Sequence, residues 1–256
     1  MKISIITVCF NSAAHIADAI DSIDAQQLPA GTTLEHVVVD GGSGDATLAI
    51  LGERERPWRL VRSEPDKGIY DAMNKGLARA SGDVIGFLNS DDFLGSPDVL
   101  ATIASAFADP QLDAVYGDLC YVQPLDRDRI VRYWRSSPFH SGMFSKSWAP
   151  PHPTLYVRRA VYERFGGFDL AYSLAADLEL MARFLEVHRV RSLHLPRVLV
   201  HMRTGGATNR SLRNVIRQNR EIWLALQHHR LAASLPGFVL RKLIDRSRQF
   251  FTRPRP

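Results

Sequence analysis

The short apolar run Val84–Leu88 is entered through a turn, Ser81-Gly82-Asp83, and closes after Asn89-Ser90 on two adjacent carboxylates, Asp91 and Asp92. A brief apolar run bounded by turn chemistry reads as a strand buried on both faces. Such a strand belongs in a covered parallel sheet, and acids just past its C-terminal end stand where open α/β sheets bind ligands. Two carboxylates there supply the hard oxygen ligands required by a divalent cation that accompanies phosphates. A Ser-Asp-Asp turn that only caps the next helix is the competing reading of the same residues.

The chain up to Tyr116 repeats this punctuation. Lys2–Val8, Leu34–Val39 and Trp58–Val61 read as strands, and Ala114–Tyr116 opens a fifth. Between them, Ser12–Gln26 places Ile16, Ala19, Ile20 and Ile23 on one helical face, and Ala46–Arg54 is helical. Lys67–Ala80 places Ile69, Met73 and Leu77 together, and Pro97–Phe107 is a helix with Ser96 as N-cap and Pro97 in its first position. Strands alternating with helices predict a mostly parallel, Rossmann-like α/β sheet flanked by helices. Beyond Tyr116 the pattern loosens. Tyr121–Tyr133 suits a hairpin or meander, Pro138–Pro153 a long loop, and Val157–Phe165 and Ala176–Val187 helices. Arg191–Met202 is a strand broken by Pro196, and so belongs at an edge or begins after the proline. No linker divides the chain into independent units.

With 45% apolar and 23% charged residues, the 256-residue chain has the composition of an ordinary globular protein. It lacks a run of about 18 apolar residues that would span a bilayer. Its start, Met1–Thr7, is too short and too β-like for a signal peptide, and the expected location is the cytoplasm. Cys9 and Cys120 lie far apart without metal spacing and read as reduced, buried thiols. The net charge of +5 is uneven: Leu212–Pro256 holds ten Arg or Lys against two Asp or Glu, or +8, which leaves −3 for the remainder. The basic character thus belongs to two C-terminal helices. It points to an anionic surface such as lipid, and away from a nucleic-acid groove across the fold.

Other candidates carry two readings each. Asp40 ends the second strand before Gly-Gly-Ser-Gly-Asp, a turn that lets a ligand approach the backbone or simply turns the chain. Lys67, near a helix start, can meet a diphosphate or pair with Asp71. Asp177 and Glu179 stand two apart, so only one can face a cleft as a general base; either also suits the positive end of a helix. His201 is a metal ligand or a hydrogen-bonded strand residue. Trp148 and His152 line an acceptor pocket or pack the long loop. The stretch Gly205-Gly206-Ala207-Thr208 is a closing loop or an ordinary turn.

In order along the chain, SIITVCFNS, VVVDGGSGDAT, SEPDKGIYDAMNKGLARASGDVIGFLNSDD, RRAVYERFGGFD and AADLELMARF resemble the inverting family 2 nucleotide-sugar glycosyltransferases of the GT-A fold. The resemblance runs from Ser4 to about Thr208 and is closest to bacterial enzymes that build surface or exported polysaccharides. It implies a transferase domain over residues 1–210, with a nucleotide-sugar half (1–115) and an acceptor half (116–210), followed by a basic amphipathic helical tail (211–256). It also implies that Thr7 and Phe10 border the nucleobase, that Asp40 pairs with it, and that Lys67 lies near phosphates or ribose. Asp91 and Asp92 become the acidic metal motif for Mg²⁺ or Mn²⁺, and Asp177 the base. Two positions depart from the family pattern: Asn89 replaces the first acid of Asp-x-Asp, and Ala176 the first of a Glu-Asp pair.

The implied reaction is a single displacement on a nucleotide-diphosphate sugar, a UDP-sugar foremost, by a hydroxyl of a saccharide or polyprenyl-linked acceptor. The segment Pro236–Phe251, with apolar residues among Arg241, Lys242, Arg246 and Arg248, suits the headgroup region of the inner face of a plasma membrane or a packed helix. Two other functions compete. A sugar-phosphate nucleotidyltransferase needs a glycine-rich cationic loop after the first strand, where this chain has Cys9-Phe10-Asn11-Ser12. A nucleotide-sugar-binding scaffold has no use for the three acids Asp91, Asp92 and Asp177.

Overall fold

A computed structural model describes residues 1–205 and 212–231, with single positions at 237, 238, 247 and 249. Along the chain run β1 (Lys2–Cys9), α1 (Ile16–Asp24), β2 (Thr33–Asp40), α2 (Thr47–Gly52), β3 (Arg59–Ser63), α3 (Ile69–Arg79), β4 (Val84–Phe87) and β5 (Phe93–Leu94). They are followed by α4 (Val99–Ala106), β6 (Ala114–Gln123), β7 (Asp126–Trp134), β8 (Tyr156–Arg158), α5 (Arg159–Phe165), α6 (Ala176–Ala182), β9 (Ser192–Arg203) and α7 (Leu212–His228).

Among the described residues these strands make one nine-stranded sheet, in the order β3-β2-β1-β4-β8-β6-β9-β5, with β7 paired to β6. The first four are parallel to one another. Their apolar runs are covered on both sides: Ile3, Ile5, Val37, Val38, Val39, Val84 and Ile85 are wholly buried. Beyond β4 the sheet is mixed: β8 is antiparallel to β4 and β6, whereas β9 is parallel to β6. Close approach of β4 and β8 requires Gly86, because a side chain there would enter the Tyr156 ring.

α1 buries the four residues its spacing predicts, Ile16, Ala19, Ile20 and Ile23. α3 is rotated from its expected face. It buries Ala72, Met73 and Gly76, while Ile69 is exposed, because Gly76 rather than a larger residue lets the helix lie against Ile6 and Val39. α4 begins at Val99, not at Pro97, since Ser96 spends its hydroxyl on Asp98 (2.5 Å) rather than on a helix amide. The 138–153 loop contains two 3-10 turns, Phe144–Lys146 and His152–Thr154. Pro196 does not end β9, and there the strand is flanked by β6 alone, because β5 meets β9 only at Val200 and His201. The β6–β9 register shifts between Tyr116↔His194 and Asp118↔Val198, so the proline sits in an irregularity of the strand.

α7 packs on the body. Ile222 and Leu226 enter the same core cluster as Ala176 and Leu180 of α6, and Phe238 joins it. Of the expected lipid-facing segment 236–251 only 237, 238, 247 and 249 are described, and Phe238 is buried in this core rather than turned to lipid; the rest of the segment and most of the 205–208 loop lie outside the described residues. None of the described helices is long and apolar enough to cross a membrane. Cys9 and Cys120 are buried free thiols.

Because Leu226 is 1% exposed within this core, Leu226→Ala should lower unfolding stability by about 2–5 kcal/mol. Urea denaturation measures it; an unchanged midpoint would mean that α7 is not part of the folded body.

Candidate functional site

The loops that follow β1, β2 and β4 are knitted together at the C-terminal edge of the parallel strands. Asn11, in the left-handed region at φ +49°, takes Ser43 Oγ on its amide (2.8 Å) and accepts from the Gly44 amide (3.0 Å). Ser12 Oγ bonds Ser90 Oγ (2.9 Å), joining the first loop to the acidic turn. Asp40 is the hub of the second loop. It accepts from the amides of Gly42 (3.1 Å) and Ser43 (2.9 Å), from Ser63 Oγ (2.6 Å) and from the Ser43 hydroxyl. Burial pushes its carboxyl up, but these hydrogen bonds outweigh burial and hold it below the usual range. A ligand that bonds Asp40 must therefore exchange with one of the two serine hydroxyls.

Phe10 stands at the mouth of this edge, 62% exposed. A side chain at Gly41 would collide with the Asp66 carboxylate and touch the Phe10 ring, so the glycine keeps these groups together. Lys67 is exposed beside them, and its ammonium makes no ion pair among the described residues; Asp71 pairs instead with Lys75 (3.5 Å). Thr7 is not at the site. It is wholly buried within the sheet, where its hydroxyl bonds His36 Nε2 (2.9 Å). His36 in turn accepts Arg59 Nε on Nδ1 (2.9 Å).

The acidic doublet is split by its turn. Asp91 is partly exposed, and no described residue bonds its carboxylate. Asp92 is 1% exposed and faces β9, where it accepts from the Arg203 amide (3.3 Å) and Asn89 Nδ2 (3.1 Å). Burial, and then the charge of Asp91, push the Asp92 carboxyl well above its ordinary range. Arg203 clamps this turn: it donates to the Asp91 carbonyl (2.8 Å), pairs with Asp18 and lies 5.2 Å over the Phe93 ring. His201 is not with the doublet. Its ring packs edge-on against Phe93 (5.2 Å), and burial lowers its pKa against the opposing charge of Asp128, so it is a neutral packed strand residue. No group of three His, Cys, Asp or Glu converges among the described residues. A cation here would therefore rest on Asp91 and the Asp92 side of the turn, with oxygens from elsewhere. The donor set fits Mg²⁺ or Mn²⁺, because Asp91 offers hard carboxylate oxygens that no described residue uses.

Asp177 opens α6, and of the two acids there it faces the C-terminal side of β4. Its Oδ1 accepts from Tyr70 Oη (3.0 Å) and the Leu178 amide (2.9 Å). Tyr70 stacks on Phe168 (5.5 Å), which meets Phe87 of β4 edge-on (5.2 Å). Glu179 points away: it is buried and paired with Arg183 (2.9 Å) and His229 (2.7 Å), which ties α6 to the end of α7. Neither expected acceptor residue lines an open pocket. Trp148 packs among Tyr116, Phe139 and Phe144, and His152, 6% exposed, lies against Phe87 (5.6 Å) and Phe168 (5.5 Å). His152 still feels the Asp177 charge, but burial keeps its pKa low. Arg203 and Tyr70 are site residues that no spacing singled out. Their partners come from β4, α1 and α6, so no local pattern marks them.

Residues 4–165 match the model of the family described as "Glycosyl transferase family 2". The PGL/p-HBAD biosynthesis glycosyltransferase Rv2957 of Mycobacterium tuberculosis is 32% identical over 188 residues, covering 70% of this chain and 68% of the relative. In fold, the chain is similar to Staphylococcus aureus TarS 1-349 in complex with UDP-GlcNAc (TM-score 0.68, 19% identity, 95% of this chain and 73% of that one). It is also similar to the mannosyltransferase PcManGT of Pyrobaculum calidifontis in complex with GDP-Man and Mn2+ (TM-score 0.64, 22% identity, 95% and 68%).

Asp92 supplies a test of the doublet. Its folded pKa is raised, so its contribution to stability is fully present below the unfolded value of 3.8 and is lost as pH rises through the folded value. At neutral pH Asp92→Asn should therefore match or exceed the metal-free parent in thermal midpoint, by up to about 1–3 kcal/mol of relieved burial. It should also lose any stabilisation that Mn²⁺ gives the parent. Differential scanning fluorimetry with and without Mn²⁺ reads both.

Proposed function

The chain belongs to glycosyl transferase family 2, and on that premise we propose that it is a metal-dependent, inverting transferase. It moves a sugar from a nucleotide-diphosphate donor, a UDP-sugar, to a lipid-linked or saccharide hydroxyl. The observation that carries this reading is the pairing of a carboxylate left free at the end of β4, Asp91, with a second acid, Asp177, brought to the same end of β4 through Tyr70, Phe168 and Phe87.

The roles follow from position. The exposed Phe10 ring offers a stacking face for a base, and Asp40 with its serines offers exchangeable polar contacts beside it. Lys67, free of ion pairs at the start of α3, suits the diphosphate, helped by the positive end of that helix. Asp91 and Asp92 would hold the Mg²⁺ or Mn²⁺, which supplies charge stabilisation to the departing diphosphate. Asp177 takes the proton of the acceptor hydroxyl as that oxygen attacks the anomeric carbon. Because there is one displacement, configuration inverts.

Polysaccharide or glycolipid assembly at a membrane fits both the named relative and α7. The exposed side of α7 carries Arg213, Arg217 and Arg220 around Ile216, which is 62% exposed. Arginines flanking an exposed aliphatic side chain suit an anionic bilayer surface, each basic residue adding about 1 kcal/mol near the headgroups.

A nucleotide-release assay over a set of nucleotide sugars, with Mn²⁺ and with EDTA, names the donor. Activity unaffected by EDTA would remove the cation from the reading. Asp177→Asn should cut kcat by about 10²–10⁴-fold while donor binding persists, as expected for loss of a general base. Turnover within fivefold of the parent would move the base elsewhere. In co-sedimentation with phosphatidylglycerol vesicles, the triple variant Arg213→Gln/Arg217→Gln/Arg220→Gln should pellet less than the parent. Equal pelleting would take α7 out of membrane contact.

A further inference from the structure

We infer that Tyr70 is the positioning residue of the base: together with the Leu178 amide it holds Oδ1 of Asp177 and leaves Oδ2 as the atom that receives the acceptor's proton. This rests on the reading of Asp177 as the base and adds to it the atom that acts and the group that aims it.

Both hydrogen bonds to the Asp177 carboxylate end on the same oxygen, from Tyr70 Oη at 3.0 Å and Leu178 N–H at 2.9 Å. No described residue donates to Oδ2. A carboxylate locked on one oxygen cannot rotate away, and its other oxygen keeps lone pairs for a proton. Burial, and then the Asp177 charge, push the phenol far above its ordinary range, so it stays a donor at every working pH.

The ring that carries this hydroxyl is itself held. Tyr70 stacks on Phe168 at 5.5 Å and 25°. Phe168 is gripped by Asn74, one turn further along α3, which donates Nδ2 to the Phe168 carbonyl and accepts its amide, both at 2.9 Å. A purely structural Tyr-Asp contact needs no such double anchor. The same helix starts beside Lys67, the proposed diphosphate contact, so α3 sets the spacing between donor and base. The titratable groups around Asp177 are Tyr70 from α3, His152 from the 3-10 turn before β8, kept neutral by burial, and Glu221 from α7, which acts on Tyr70. Glu179 on α6 is turned away and paired.

In the step itself the acceptor O–H bond breaks and its proton passes to Oδ2. The oxygen forms a bond to the anomeric carbon, and the anomeric C–O bond breaks with its electron pair leaving on the nucleoside diphosphate. Oδ1 keeps its two hydrogen bonds throughout, so no reorganisation of the carboxylate is needed.

Tyr70→Phe keeps the ring and its stacking and removes only the hydroxyl. It should lower kcat about ten- to a hundredfold, the loss expected for one hydrogen bond to a charged group, with donor KM within twofold. Donor titration and thermal midpoint confirm that the variant is folded. If Asp177→Asn keeps its turnover, the base reading fails and this proposal with it. If Asp177→Asn is inactive while Tyr70→Phe matches the parent in kcat, or loses kcat and donor KM together, the base stands and only the positioning role is overturned.

Discussion

Burial of β1, β2 and β4 on both faces is the constraint that the rest of this molecule obeys. With α1, α3 and the neighbouring layers closing over β1, β2 and β4, a polar side chain has two options. It can be satisfied inside the sheet, as Thr7, His36, Arg59 and Asp24 are in one continuous chain of contacts, or it can move to the strand ends. Asp40, Asp91 and Asp92 all follow the second route. The chemistry gathers at the C-terminal edge because there the backbone leaves the sheet and the hydrogen-bonding groups of four loops become available together.

That edge is only half of the candidate site. The other half is delivered by a segment far along the chain, and α3 joins the two. Its first turn lies beside Lys67, Tyr70 reaches Asp177, and Asn74 grips the loop at Phe168. α6 is backed by α7 through Leu226, Glu179 and His229, so the first basic helix of the C-terminal region also stiffens the helix that carries Asp177. Splitting the chain into a body and a detached basic tail at residue 211 would cut through this core.

The places where sequence reasoning and structure diverge share a cause. The amphipathic face of α1 was legible because four large aliphatic residues decide it. The face of α3 was not: the closest contact is made by Gly76, a residue with no hydrophobic signal, because β1 and β2 demand close approach there. Pro196 looked like the end of a strand because a proline cannot donate to a ladder, yet a register shift accommodates it within the strand. Thr7 and His201 sit one alternation away from the faces their chemistry suggested. On a strand, that difference turns a ligand into a packing residue.

From its residues alone this chain fixes its strand-helix alternation, its family and the identity of the acids that end β2, β4 and the approach to α6, since apolar period, turn residues and carboxylates are local properties. Tertiary structure alone decides which of those acids has a free oxygen. Among the described residues Asp91 keeps both oxygens unbonded and Asp177 keeps one, whereas Asp92 is pressed against β9 and Glu179 is consumed by Arg183 and His229. The reason is physical: a carboxylate's availability depends on which donors and charges surround it, and for Asp92 and Asp177 these include groups from elements more than a hundred residues away.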